Sequence, residues 1–158
     1  MGVKEANIVG NIHEDIRQKK FNNEYHKLFI NLFFTGSWLH LKSIQHFKAY
    51  GISPQQYNIL RILRGQLPNP CSILSISERM IDKNSNASRL VEKLRQKKLV
   101  QRQTNLNDRR AVEVSITEEG LKLLLQMDIE EEKMLAELST LDEAEAKLLN
   151  ELLDKLRG

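Results

Sequence analysis

Residues 85–117 read SNASRLVEKLRQKKLVQRQTNLNDRRAVEVSIT, and within this run the spacing of apolar residues changes from helical to alternating. Ala87, Leu90, Val91 and Leu94 recur at i, i+3, i+4 and i+7, which places them on one side of a helix expected over Ser85 to Lys97. The opposite side carries Ser85, Asn86, Ser88, Arg89, Glu92, Lys93 and Gln96, a mixture able to meet base edges and phosphates. From Leu99 the period falls to two: Val100, Arg102 and Thr104 alternate with Gln101 and Gln103, and Val112, Val114 and Ile116 alternate with Glu113 and Ser115. Both runs flank the turn-rich stretch Asn105 to Arg110, so an antiparallel hairpin with a basic tip is expected directly after the helix.

Working outward, the N-terminal side supplies three further helices. Ser53 to Gln56 is a capping box with Pro54 at the first helical position, followed by Tyr57, Leu60 and Leu63 on one face and Gly65 as a stop. Gln66 to Pro70 reads as a loop because Pro68 and Pro70 bias the residues before them away from helix. Ser75 and Glu78 repeat the capping-box pattern and open a short helix through Met80 and Ile81, after which the chain turns at Asp82 to Asn84. Earlier still, Leu28, Phe29, Leu32, Phe33, Leu39 and Phe47 recur at helical spacing from about Asn23 to Tyr50, with Gly51 as the stop. Ile30, Phe34, Trp38, Leu41 and Ile44 widen its apolar surface beyond one stripe, so a second side needs cover that a partner subunit would supply. Residues 1–22 are expected to form an arm or a short extra helix.

On the C-terminal side Thr117 caps a helix bearing Leu121, Leu124 and Leu125 toward Leu138, despite Gly120 in its first turn. Thr140 with Glu143 caps a last helix, whose Leu148, Leu149, Leu152, Leu153 and Leu156 make a leucine face suited to an interface. The element order predicts a mainly α protein, a winged helix-turn-helix with a small antiparallel β-hairpin wing. One domain covers 23–158: the DNA-binding module over 53–117 lies between N- and C-terminal dimerisation helices over 23–50 and 118–158.

Composition agrees with a folded chain, since 41% hydrophobic and 28% charged residues over 158 positions suffice for a core. The most apolar run, Leu28 to Phe34, is broken by Asn31 and falls short of the roughly 20 residues that cross a bilayer. Glu5, His13, Glu14, Asp15 and Arg17 near the start do not resemble a secretory signal, so a cytoplasmic protein is expected. Cys71 is the single cysteine and leaves no intrachain disulfide. Charge is distributed unevenly: from Lys83 to Arg110 nine basic residues face two acidic ones, a net of +7, which leaves −4 for the rest of a chain whose total is +3. Such a stripe is either the footprint of a polyanion partner or a solvated, salt-bridged helix face. The helix-hairpin arrangement favours the first. The major groove admits one helix, and arginines at a hairpin tip, here Arg109 and Arg110, suit the enhanced negative potential of a narrow minor groove.

The stretch Asn107 to Gly120, with Asp108-Arg109-Arg110, a strand, and then Ile116-Thr117-Glu118-Glu119-Gly120, resembles the wing signature of the MarR (multiple antibiotic resistance regulator) family. Ser88 to Leu94 is similar to that family's recognition helix and Ser53 to Leu60 to its second helix, the likeness covering residues 24–157. The resemblance implies a sequence-specific, double-stranded DNA-binding regulator, a homodimeric repressor on a pseudo-palindromic operator, released by a small aromatic or anionic effector. It implies that Ser85, Asn86, Ser88 and Arg89 face DNA, that Arg110 enters the minor groove, that Arg109 touches phosphate and that Asp108 pairs locally to hold the wing. Lys93 and Arg95, from the basic stripe, complete the expected DNA contacts. The dimer interface is expected on Leu28, Leu32, Leu148, Leu149, Leu152, Leu153 and Leu156. Trp38, Tyr57 and Arg61 are candidates for an effector pocket, although core packing explains the two aromatics equally well. One departure is visible: Lys98 stands where the family has glycine between recognition helix and strand, so the turn is expected either to strain the lysine or to differ.

Rival readings are poorer. Cys71 is expected in the Pro68–Pro70 loop with no adjacent basic residue, which favours an inert thiol over a cysteine-based redox sensor. His13, His26, His40 and His46 all precede residue 50, and His40 and His46 miss the i, i+4 spacing of a metal-binding helix, so no metal and no cofactor are expected. Neither a phosphate loop nor a nucleophile motif argues for an enzyme. The remaining alternative is a dimeric winged-helix module that binds protein rather than DNA.

Overall fold

The computed structural model describes residues 10–104, 112–136 and 140–158. The chain forms two compact units, one ending at Ala49 and the other running from Tyr50 to Gly158. In the first, a short helix α1 (Ile12–Asp15) is capped by Asn11, whose side chain accepts from the His13 amide, and ends where Arg17 takes a positive φ of 53°. Phe21 packs against the rings of His13 and His26 at centroid distances of 4.8 and 5.7 Å, which orders the lead-in to α2 (Glu24–Lys48). The side chain of Asn23 caps α2, and among its 25 residues only Phe47 is buried. Phe29 and Phe33 pack one turn apart with their rings tilted and stay exposed, at 57% and 66%.

The second unit is built on α3 (Pro54–Arg64), α4 (Ile73–Arg79), α5 (Ala87–Gln96) and a sheet, continued by α6 (Glu118–Ala136) and α7 (Glu143–Arg157). The Ser53 capping box forms in full: Ser53 Oγ accepts from the Gln56 amide at 3.2 Å and Gln56 Oε1 accepts from the Ser53 amide at 2.9 Å. That start aims Ile59, Leu60 and Leu63 into a core completed by Ile76, Met80, Val91, Leu94, Val114, Leu124 and Met127, all almost wholly buried.

Two strands were expected and three form among the described residues. β2 (Val100–Thr104) pairs antiparallel with β3 (Val112–Ile116), and the other edge of β3 takes a two-residue strand β1 (Cys71–Ser72), in the order β1–β3–β2. Cys71 sits opposite Val114 rather than in the proline loop, and is buried with it. A strand this short has no periodicity to read; the free edge of β3 creates it. Three helix starts also move. Ser72, directly after β1, caps α4 by accepting from the Ser75 amide, so Ser75 is the capped residue and not the cap, and α4 ends at Arg79, before Met80 and Ile81. Asp142 rather than Thr140 caps α7 in a reciprocal box with Glu145, the carboxylate lying where the helix N-terminus favours negative charge. The helix expected from Ser85 begins at Ala87, because the side chain of Asn86 caps it.

Candidate nucleic-acid interface

The N-terminal end of α5 is set by its own polar residues. Asn86 Oδ1 accepts from the Arg89 amide at 2.9 Å, and Ser85 Oγ donates to Asp82 Oδ2 at 2.8 Å. Asp82 Oδ1 also accepts from the Asn84 amide at 3.0 Å, and Asn58 Oδ1, from α3, accepts from the Ile81 amide at 2.9 Å. Ser85 and Asn86 therefore stand at the helix tip with their oxygens engaged locally. Asp82 and Asn58 hold that tip; Asp82 was legible as an Asx turn, whereas Asn58 is 23 residues away from its partner and was not.

At the other end the Lys98 and Leu99 amides donate to the Arg95 and Leu94 carbonyls at 2.9 and 3.1 Å, the paired closure of a left-handed helix stop. Lys98 holds the left-handed position at φ 61°, so the turn is the one glycine usually makes and the lysine is strained into it. The strained residue is then used: Thr117 Oγ1 donates to the Lys98 carbonyl at 2.8 Å and accepts from the Gly120 amide at 3.1 Å, and the Thr117 amide donates to the Leu99 carbonyl at 3.1 Å. A Cβ on Gly120 would lie 2.3 Å from the Leu99 oxygen, which explains glycine in the first turn of α6. The threonine and glycine thus bolt α6 to the turn between α5 and β2.

Between these ends the outer side of α5 presents Ser88, Arg89, Lys93 and Arg95 to solvent, while Ala87, Val91 and Leu94 are buried and Leu90 is half-buried. Among the described residues neither Arg89 nor Lys93 has a carboxylate within ion-pair distance. Arg95 does: its Nε and one terminal nitrogen donate to Glu92 at 3.0 and 2.8 Å. Arg102, on the same face of β2 as buried Val100, reaches the same carboxylate at 3.3 Å. Chiefly through the Arg95 hydrogen bonds, the Glu92 carboxyl is held down at about 2 and so stays ionised. The Glu92–Arg95 spacing was readable as an i, i+3 pair; Arg102 joining it was not. Asp108, Arg109 and Arg110 lie outside the described residues.

The effector candidates fall in the two different units. Tyr57 and Arg61 meet on α3, where the guanidinium donates to the Tyr57 oxygen at 2.9 Å and to Glu131 of α6 at 2.6 Å. Burial is the main force raising the Tyr57 hydroxyl pKa, and the hydrogen bond to Tyr57 is the main one raising that of Arg61. One turn on, Arg64 grips Asp128 through two hydrogen bonds of 2.6 and 3.1 Å, which hold that carboxyl below its usual range. Trp38 belongs to the other unit, on α2, with Lys42 Nζ 5.5 Å from its ring centre. Of the expected interface leucines, Leu28, Leu148, Leu149, Leu152 and Leu156 are exposed, Leu32 and Leu153 half-buried, and α7 buries none of its residues. No group of three or more histidine, cysteine, aspartate or glutamate residues is placed to hold a metal among the described residues. Nor is any described helix long and apolar enough to cross a membrane.

Comparison with known proteins places this geometry. The sequence model of the MarR family matches residues 52–112, from the loop before α3 to the first residue of β3. Over 113 residues, 71% of this chain and 77% of the relative, the sequence is 27% identical to the HTH-type transcriptional regulator MhqR of Bacillus subtilis. It is 31% identical over 93 residues to the HTH-type transcriptional repressor MdtR of the same organism, covering 59% of this chain and 54% of that protein. The S. aureus MepR–DNA complex superposes with a TM-score of 0.70 at 24% identity over 87% of this chain and 97% of that one, a likeness of fold.

Proposed function

We propose that the chain, which the MarR family model matches over residues 52–112, is a DNA-binding transcriptional regulator of that family and acts as a homodimeric repressor that lays α5 in the major groove of a pseudo-palindromic operator. The observation that carries this reading is the outer face of α5, whose exposed Ser88, Arg89 and Lys93 lie opposite the buried Val91 and Leu94. Serine and arginine reach base edges while lysine neutralises phosphate. Ser85 and Asn86 stand where the helix tip would approach the groove floor. Asp108, Arg109 and Arg110 complete the proposal as the wing, Arg110 toward the minor groove and Arg109 on phosphate.

Two copies are needed to read two half-sites about one turn, roughly 34 Å, apart. The leucines of α7 and the aromatic residues of α2 that are exposed among the described residues support pairing of copies through these helices. The named repressor among its relatives supports repression. Release by a small aromatic or anionic effector belongs to the same proposal, at a defined cost: Arg61 is bonded to Tyr57 and Glu131, so an anion there has to displace the Glu131 carboxylate.

Gel-shift titration of the full chain on duplexes selected from a random pool, repeated over a salt series, tests the reading. Neutralising several phosphates per dimer makes log K fall with log[salt] at about −0.9 per contact. A flat response, or no retarded band in dilute buffer, would instead mark a winged helix that binds protein.

A further inference from the structure

Two cations, one on α5 and one on β2, are not free. Arg95, on α5, and Arg102, on β2, converge on the single carboxylate of Glu92 at 2.8 and 3.3 Å, and Gln96 donates to the same group at 3.3 Å. Stability does not require this arrangement. All three charged side chains are 30 to 50% exposed, and ion pairs of that kind contribute about 0–1 kcal/mol. The consequence lies in how the surface meets a polyanion. Arg89 and Lys93 on the same helix have no carboxylate at ion-pair distance among the described residues, so they answer any phosphate within reach. Arg95 and Arg102 have part of their donor set on Glu92 and offer what remains of it in the direction the carboxylate dictates.

We propose that Glu92 is a positioning residue for DNA discrimination: it holds one arginine of the groove-reading helix and one of the wing strand in a single orientation, so that only a duplex in register meets both. On a duplex out of register the two arginines must leave the carboxylate to reach phosphate, and the carboxylate itself repels the backbone. Discrimination then comes from a penalty on the wrong partner as much as from contact with the right one. Because Arg102 stands on β2, the same carboxylate ties that strand to α5. This inference rests on the DNA-binding reading above.

The test uses the full-length chain with E92Q, which keeps shape and removes charge, and E92D, which keeps charge. Each protein is titrated by fluorescence anisotropy against a 30-base-pair random-sequence duplex and against the tightest duplex that the unaltered protein selects from a randomised pool, at several potassium chloride concentrations. Freed arginines should steepen the salt slope of E92Q on the random duplex by about one to two per protomer and tighten that binding about tenfold in dilute salt. The selected duplex should gain less, so the ratio of the two affinities falls, while E92D stays near the unaltered protein. An E92Q slope equal to that of the unaltered protein overturns the proposal. So does equal weakening on both duplexes, or a lost far-ultraviolet helix signal, either of which makes Glu92 merely structural. If the unaltered protein binds neither duplex, the DNA reading itself fails, a result distinct from the others.

Discussion

Gly120 and Lys98 are both hydrogen-bonded by the Thr117 hydroxyl, and each is constrained for a different reason. At Gly120 there is no room: a Cβ would meet the Leu99 carbonyl oxygen at 2.3 Å and the Ile116 side chain at 2.7 Å. The first of these is backbone and cannot swing aside, so Gly120→Ala should destabilise the fold by about 2–3 kcal/mol, read as a lower urea midpoint at unchanged slope. At Lys98 there is room but the wrong backbone, with φ at 61° on a residue that has a Cβ. Lys98→Gly should raise stability by about 0.5–1 kcal/mol, the relief of left-handed strain less the entropy that glycine adds to the unfolded chain; thermal melting checks the sign. Lysine at 98 was visible in the sequence as a departure from the family pattern. Only the structure shows that the turn stays the same and the residue is strained to fit it.

Among the elements, α3 and α6 are joined across 64 to 70 residues by Arg64–Asp128 and Arg61–Glu131. Both arginines could be placed on α3 from the spacing of Tyr57, Leu60 and Leu63, but their partners depend on how α6 crosses α3, which no local pattern encodes. Arg64 holds the Asp128 carboxyl below its ordinary 3.8, so the pair contributes in full above that value and is lost as pH falls through the lowered one. Asp128→Asn should therefore melt earlier at pH 7, by a margin worth about 0.5–1 kcal/mol for a part-exposed pair. The gap to the unaltered protein should close in acid, below pH 3.8. A gap that is the same at pH 7 and pH 3 would mean that the ion pair is not its cause.

For the molecule as a whole, the proposed pairing of two copies is the step on which tight operator binding depends. Leu152 is exposed in the middle of the α7 leucine face, and Leu152→Glu should shift the chain toward monomer in sedimentation velocity. Losing one of two linked half-site contacts should weaken binding to the selected duplex at least about tenfold; a dimer that survives would move the interface elsewhere. The order of the principal helices, the buried faces of α3 and α5, the Ser53 cap and the β2–β3 pair followed from the sequence alone, because apolar spacing and capping are written in neighbouring residues. Tertiary structure alone decided the third strand at Cys71, the Glu92–Arg102 bond, the α3–α6 ion pairs and the need for glycine at 120. Each of these is a meeting of chain segments 10 to 70 residues apart, where register and crossing angle, not local composition, determine which groups come within a few ångströms.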